Sequence, residues 1–291
     1  MTRVGKAIAY GAVTIVNAIS CGLGAALGVK LWTEATVKLT DEPSVIEGKI
    51  ISDPTENTEL IVETVKRVLK HLALENEYGA YVETRSNIPI ARGLKSSSTA
   101  ANAVALATLD ALEENVEDLV VVNLGVDAAI DANVTVTGAF DDACTSYFGN
   151  IIVSDNNSRK ILKSFDVEKG EDNVLIYVPT EKSYTADSDV ERIRMIAREV
   201  RTICKEALAG NYWTAMTLNG LVHSTVLGYN SKIALDAIMN GAIAAGLSGK
   251  GPAVAAIARS ENIEDVLRVW QQYNGTIIKT EVNREKAHVL R

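Results

Sequence analysis

The sequence predicts an α+β fold in two parts. The main observation is a change after residue 150, where short predicted strands are joined by polar turns and are followed by helices and then by strands alternating with helices. The 291 residues suffice for one large domain or two ordinary ones, and 47% hydrophobic with 23% charged residues can bury a substantial core. We place the boundary within 150–185 and divide the chain into residues 1–160 and 161–291.

Composition excludes several classes of partner. The net charge of −8 argues against nucleic acid held by its phosphates, and 5% aromatic residues argue against a base-stacking surface. The apolar run 7–27 is interrupted by polar residues and glycines, so we expect buried chain there and no membrane span. Cys21, Cys144 and Cys204 stand far apart, which predicts a reducing, cytoplasmic location. The sequence does not distinguish a monomer from a homodimer.

The first elements follow from hydrophobic periodicity. Residues Arg3 to Val16 read as a buried strand, followed by the small-residue segment Ala18 to Leu27. Alternating apolar residues predict a half-buried strand over Val29 to Leu39, with Val45 to Ile51 as its hairpin partner. Apolar residues at helical spacing predict a helix over Glu56 to Leu72.

The next stretch combines the features of an anion site. A short strand, Ala80 to Thr84, leads to Pro89, which stops regular structure, and to Gly93, which permits a left-handed backbone. Three serines then begin a predicted helix over Ser97 to Leu112, whose first N–H groups and dipole favour an anion. Lys95 adds a positive charge. The alternative is an ordinary N-cap cluster on a surface loop.

A pair of carboxylates forms the second candidate site. After a predicted helix over Leu119 to Ala132, Asp141 and Asp142 follow the turn at Gly138 among small and apolar residues. A carboxylate partly removed from water can act as a general base toward a substrate hydroxyl. The alternative is that one of the two caps the helix that follows.

The second half predicts short strands, then helices, and a glycine-rich loop at 246–252. The predicted strands are Ile151 to Val153, Lys160 to Phe165, Asn173 to Val178, Ala253 to Ala258 and Thr276 to Val282. The predicted helices are Val190 to Leu208, Tyr212 to Leu227, Ser231 to Ala245 and Ile263 to Tyr273.

Three stretches together resemble the GHMP kinases, the family of galacto-, homoserine, mevalonate and phosphomevalonate kinases. Residues 89–100, Pro-Ile-Ala-Arg-Gly-Leu-Lys-Ser-Ser-Ser-Thr-Ala, are similar to the ATP loop of that family. Residues 247–253, Leu-Ser-Gly-Lys-Gly-Pro-Ala, resemble its third motif, and residues 9–18 occupy the position of its first. Within the family, the Gly-Ala-x-Thr-Ile-x-Asn-Ala opening and the Thr-Gly-Ala-Phe-Asp-Asp run most resemble the archaeal type of shikimate kinase.

The resemblance implies a fold and an activity. The expected fold has an N-terminal ATP-binding half like the second domain of ribosomal protein S5 and a ferredoxin-like C-terminal half. The expected reaction is phosphorylation of the 3-hydroxyl of shikimate by ATP with Mg²⁺, without the Gly-x4-Gly-Lys-Ser/Thr motif of P-loop kinases. Homoserine kinase or another small-alcohol kinase is an alternative within the family, and a non-catalytic nucleotide or metabolite sensor on the same scaffold is an alternative of another functional class.

The resemblance also implies a set of site residues. Asp141 or Asp142 would be the base, and counting from Gly138 favours Asp141 while counting back from Gly149 favours Asp142; we choose Asp141. Ser98 would lie near the metal. Arg192, Arg194 and Lys250 are open as partners of the substrate carboxylate. The residues expected to bind ATP are Pro89, Ile90, Ala91, Arg92, Gly93, Leu94, Lys95, Ser96, Ser97, Ser98 and Thr99, with Lys95 also catalytic, and those expected to bind substrate are Thr14, Asn17, Gly249, Lys250 and Gly251.

Overall fold

The computed structural model describes residues 3–135, 137–180 and 190–291, which form two β-sheets and the helices that pack on them. The strands are β1 (Val4–Val16), β2 (Leu23–Thr40), β3 (Ile46–Ile50), β4 (Gly79–Ser86), β5 (Ile151–Asp155), β6 (Lys160–Phe165), β7 (Asn173–Pro179), β8 (Ala242–Leu247), β9 (Val254–Ala258), β10 (Gly275–Glu281) and β11 (His288–Val289). The helices are α1 (Glu59–His71), α2 (Ser96–Leu112), α3 (Asp118–Asp131), α4 (Phe140–Phe148), α5 (Val190–Arg194), α6 (Ala197–Leu208), α7 (Tyr212–Leu227), α8 (Lys232–Met239) and α9 (Ile263–Trp270).

The first sheet carries α1 to α4 on one face. Its strand order is β11-β1-β2-β4-β3, with β5 paired to β2 and β6 paired to β5. Strands β1 and β2 are antiparallel from Val4 opposite Lys38 to Val16 opposite Ala25. The strand predicted for β1 is confirmed, while β2 is a single long strand that includes the second half of the predicted small-residue segment, from Leu23. Alanine and glycine there let the two backbones and helix α4 lie close together.

The predicted hairpin between β2 and β3 is wrong. Strand β3 pairs in parallel with β4, with Ile46 opposite Ala80, and β4 lies antiparallel to β2 between them. The physical reason is that α1 separates β3 from β4 in the chain and supplies the crossover that a parallel pair needs. The more buried strand, β4, takes the central position, and β3 forms the edge.

The second sheet has the order β10-β7-β9-β8, and all neighbouring strands in it are antiparallel. Alternating side chains of β7 serve two cores. Val174 and Ile176 pack with α6, α7 and residues of the first sheet, whereas Leu175 and Tyr177 pack with α8 and α9. The first of these cores therefore joins the two sheets through buried apolar contacts.

Two predicted helices are shorter than expected. The helix predicted over Ser231 to Ala245 ends at Met239, and Gly241, with φ of +94°, turns the chain into β8. A run of small apolar residues fits a buried strand as well as a helix, and here it packs against the α7 backbone, where a Cβ on Gly220 would lie 2.3 Å from Gly246 Cα. The helix predicted over Val190 to Leu208 is divided into α5 and α6.

The α+β class is confirmed. Within residues 3–135, 137–180 and 190–291, every helix is too short or too polar to cross a membrane. The division after residue 160 stays a prediction, and β6, which begins at Lys160, pairs with β5 in the first sheet. Loops from both sheets meet where β1 ends, α2 begins and β8 ends, and the hydrogen bonds described below join them.

Candidate active site

The loop between β4 and α2 has an unusual backbone. Ala91, Gly93 and Lys95 all have positive φ, at 55°, 80° and 64°. A Cβ on Gly93 would lie 2.1 Å from the carbonyl oxygen of Ser248, so this position requires glycine. Helix α2 begins directly after Lys95, and its first amide groups have no partner within the helix. The loop and the helix start together provide N–H donors and a favourable dipole for an anion.

A cavity of about 370 Å³ opens beside this helix start. One wall is the loop with the first turn of α2, a second is the start of α4, and a third combines Asn17–Ile19 with Gly249–Gly251. Its far end includes the apolar side chains of Ile50, Leu60 and Ile61. A volume of this size, with apolar walls and a few convergent polar groups, is typical of a small-molecule site.

Lys95 and Asp142 form an ion pair in the cavity wall. Lys95 Nζ lies 3.0 Å from Asp142 Oδ1, and the side chains are only 8% and 15% exposed. The left-handed backbone of Lys95 costs about 1–2 kcal/mol of conformational free energy, and backbone strain of this size is typical of functional sites. The pair places an acceptor for a proton and a positive charge within one hydrogen-bond length of each other.

Asp141 also lines the cavity but is only 4% exposed, and Asn156 and Gly24 lie against it. Asn156 Nδ2 donates to Asp141 Oδ1 at 2.7 Å, and Asn156 Oδ1 accepts from the Asp141 amide at 3.0 Å. A Cβ on Gly24 would lie 2.3 Å from Asp141 Oδ2, so a glycine in β2 makes room for this carboxylate. Burial, then the neighbouring charge of Asp142, raises the pKa of Asp141 to about 7.

This raised pKa predicts a loss of stability as pH rises. Because the folded chain binds the Asp141 proton more tightly than the unfolded chain, the contribution is complete below the ordinary pKa of 3.8 and is lost progressively up to about pH 7. The asparagine of Asp141→Asn does not titrate. We therefore expect the free energy of unfolding of this variant, measured in urea, to rise by about 1–3 kcal/mol relative to that of the wild type as the pH goes from 5 to 8. An Asp141→Asn difference that is constant with pH would contradict the prediction.

The third motif is tied to the end of β1. The Gly249 amide donates to Thr14 Oγ1 at 2.7 Å, and Asn17 Nδ2 donates to the Gly249 carbonyl at 2.8 Å. Ser248 Oγ donates to the Gly93 carbonyl at 2.7 Å and accepts from the Thr14 amide at 3.2 Å. The three stretches singled out in the sequence therefore meet at one place.

Most of the expected site residues line the cavity, but four do not. Thr14 is 2% exposed and supports the wall through Gly249 rather than facing the cavity. Thr99 is fully buried and donates to the Tyr10 carbonyl. The Arg92 guanidinium donates to the Thr180 carbonyl at 2.6 Å. The fourth is Pro89. The expected residues that line the cavity are Asn17, Ile90, Ala91, Gly93, Leu94, Lys95, Ser96, Ser97, Ser98, Asp141, Asp142, Gly249, Lys250 and Gly251.

Asn156 and Ser248 were missed as functional candidates by the sequence reasoning. Asn156 belongs to a polar turn in sequence, and only the fold brings it to Asp141, 15 residues earlier. Ser248 lies within the glycine-rich loop that the sequence indicates as part of the site, but nothing in the sequence indicates a role for its hydroxyl. In the described residues, no group of three or more His, Cys, Asp or Glu side chains is placed to hold a metal ion.

Known proteins resemble this chain along its whole length. Residues 59–150 match the family model of the GHMP kinases N terminal domain. The shikimate kinase of Methanosarcina mazei is 43% identical over 99% of this chain and 97% of its own length. The chain belongs to the GHMP kinase family. The shikimate kinase of Methanothrix thermoacetophila is likewise 43% identical, over 98% of this chain and 96% of its own.

Solved structures of GHMP kinases share the fold. The homoserine kinase of Cytophaga hutchinsonii superposes with a TM-score of 0.76 over 100% of this chain and 98% of its own, at 17% sequence identity. The family resemblance and the two-part α+β fold that it implied are therefore confirmed. That residues 89–99, called the nucleotide loop below, bind ATP stays a prediction.

Proposed function

We propose that this GHMP kinase transfers the γ-phosphoryl group of ATP to the 3-hydroxyl of shikimate, giving shikimate 3-phosphate and ADP. The observation that carries the proposal is the cavity in which the phosphate-binding loop, Lys95 and Asp142 lie together, in a chain that matches shikimate kinases from end to end. A cytoplasmic location is part of the proposal, since Cys21, Cys144 and Cys204 are free thiols.

The nucleotide side rests on backbone groups and one lysine. The loop 89–99 and the first turn of α2 would hold the phosphates, because their N–H groups need no reorganisation when charge develops there. Lys95 Nζ would neutralise charge on the transferred group. Asp142 would accept the proton of the attacking hydroxyl as the new P–O bond forms and the bond to the β-phosphate breaks. We propose Asp142 in place of Asp141, the base chosen from the sequence, because Asp141 is the more buried carboxylate and already accepts a hydrogen bond from Asn156.

The donor set beside the loop fits Mg²⁺. This ion prefers oxygen ligands and is commonly held by few protein groups together with substrate phosphates. The Ser98 hydroxyl lies in the first turn of α2 on the cavity wall, where it could complete such a set. When bound, Mg²⁺ would neutralise phosphate charge.

On the acceptor side we propose Asn17, Gly249, Lys250 and Gly251 as contacts of the substrate. Lys250 lines the cavity, so it is the cation that we assign to the substrate carboxylate. Arg192 and Arg194 are exposed on α5, away from the described cavity lining. This choice orders three candidates that the sequence left equal.

A coupled ADP-release assay tests the proposal. With ATP and Mg²⁺, we expect turnover of about 1–100 s⁻¹ with shikimate and none above background with homoserine or mevalonate. Phosphorus NMR of the product should show phosphate on the 3-hydroxyl. Turnover with homoserine but not shikimate would favour the other small-alcohol kinase, and ATP binding without ADP release with any alcohol would favour a sensor.

A further inference from the structure

Ser248 is a buried hydroxyl between the two sides of the cavity. It has no exposed surface and does not belong to the cavity lining. Its O–H donates to the carbonyl of Gly93 in the nucleotide loop, at 2.7 Å, and its oxygen accepts from the amide of Thr14 at the end of β1, at 3.2 Å. The Ser248 side chain thus joins Thr14 and Gly93, which are 79 residues apart in sequence.

The residues proposed to contact the phosphoryl acceptor are joined to Ser248 by a short series of hydrogen bonds. Thr14 Oγ1 accepts from the Gly249 amide at 2.7 Å, which closes a reciprocal pair between the two segments. Asn17 then donates through Nδ2 to the Gly249 carbonyl at 2.8 Å, and its own amide donates to Asn219 Oδ1 at 3.0 Å. Asn17 is therefore fixed from two directions and still lines the cavity.

Little space separates the two glycine loops. A Cβ on Gly93 would lie 2.1 Å from the Ser248 carbonyl oxygen, and a Cβ on Gly249 would lie 3.1 Å from Gly93 Cα and 3.3 Å from Lys95 Nζ. Between Gly93 and the Ser248–Gly249 segment, backbone packs directly on backbone. A displacement of the nucleotide loop must therefore be transmitted to the segment of Ser248 and Gly249.

We infer that Ser248 is a positioning residue that couples nucleotide binding to acceptor binding. Phosphates that order the loop around Gly93 fix its carbonyl, and the Ser248 hydroxyl then fixes the Thr14 amide and, through Gly249, the side chain of Asn17. Each ligand binds more tightly when the other is present, and the coupling is reciprocal. The identity of the acceptor rests on the proposed function, whereas the response to nucleotide does not.

Hydrogen exchange tests the nucleotide half of the inference without any acceptor. We expect saturating AMP-PNP with Mg²⁺ to slow amide exchange in residues 12–18 by about fivefold or more in the wild type and by less than about twofold in Ser248→Ala. Ser224→Ala, the same change at a buried serine on α7, is the matched control and should behave as wild type. Ser248→Cys, which keeps the shape with a weaker hydrogen bond, should be intermediate and serves if the alanine variant is unstable. Equal slowing in wild type and Ser248→Ala, or none in the wild type, would overturn the inference.

Calorimetric titration tests the acceptor half. The Kd of AMP-PNP is measured with and without shikimate. The Kd without shikimate is expected to exceed the Kd with shikimate by about fivefold or more in the wild type, and the two values should agree within about twofold in Ser248→Ala. A ratio equal in both proteins would overturn the coupling role. If shikimate does not bind at all, the proposed substrate is wrong, and the exchange experiment still decides whether Ser248 transmits nucleotide binding.

Discussion

Asp142→Asn is expected to lower kcat for shikimate phosphorylation by about 10²–10⁴-fold, the usual contribution of a positioned general base. The amide cannot accept the hydroxyl proton, while its size leaves the cavity unchanged. The KM for ATP should change less than kcat, because the phosphates are assigned to the loop rather than to this carboxylate. Steady-state kinetics at saturating ATP and Mg²⁺ measures both.

The neighbouring carboxylate is the matched control for this prediction. Asp141→Asn keeps an oxygen that can accept from Asn156 Nδ2, and Asp141 is more buried than Asp142, so its effect on kcat should be at least about tenfold smaller. Removing the Asp142 charge also leaves the Lys95 ammonium, 8% exposed, without this partner. Retained AMP-PNP binding by Asp142→Asn would show that lost turnover is not lost folding. Full turnover in Asp142→Asn, or a larger loss in Asp141→Asn, would reverse the assignment.

The choice between these two aspartates shows where sequence reasoning stops. Neighbouring residues on an α-helix point about 100° apart, so Asp141 and Asp142 have different surroundings although both line the cavity. Which of the two is the more buried depends on how α4 packs against Gly24 in β2 and Asn156 after β5. Neither residue is near the pair in sequence. Both carboxylates could be predicted as a site, but their order could not.

The nucleotide loop shows the opposite case. Its features are local: a proline shortly after β4, a glycine, and serines that begin α2 all lie within ten residues, so a loop between a strand and a helix start could be predicted here from the sequence. The pairing of β3 depends on contacts across the whole first half, and the hairpin expected from proximity was wrong. The family resemblance supplied the two-part fold, which periodicity alone did not specify.

Gly93→Ala is expected to have the second large effect, because it combines backbone strain with a collision. A left-handed alanine costs about 1–2 kcal/mol, and its Cβ would lie 2.1 Å from the Ser248 carbonyl oxygen. Overpacking adds about 1–3 kcal/mol, since the obstacle is backbone. We expect a total loss of about 2–5 kcal/mol in urea unfolding. A displaced phosphate loop should also lower kcat/KM for ATP by about 10²-fold or more.

Substitutions at two other glycines separate the effect of backbone strain from that of the steric collision. Gly170 and Gly228 have φ of +90° and +76°, yet a Cβ on either would meet no atom within 4 Å. Gly170→Ala and Gly228→Ala should therefore cost only the conformational part, about 1–2 kcal/mol, and leave kcat/KM for ATP near the wild-type value. If Gly93→Ala is no worse than these two in stability and turnover, contact between the nucleotide loop and the Ser248 segment does not hold the loop in place. The coupling role of Ser248 would then lose its structural basis, because its hydroxyl would join two loops that move independently.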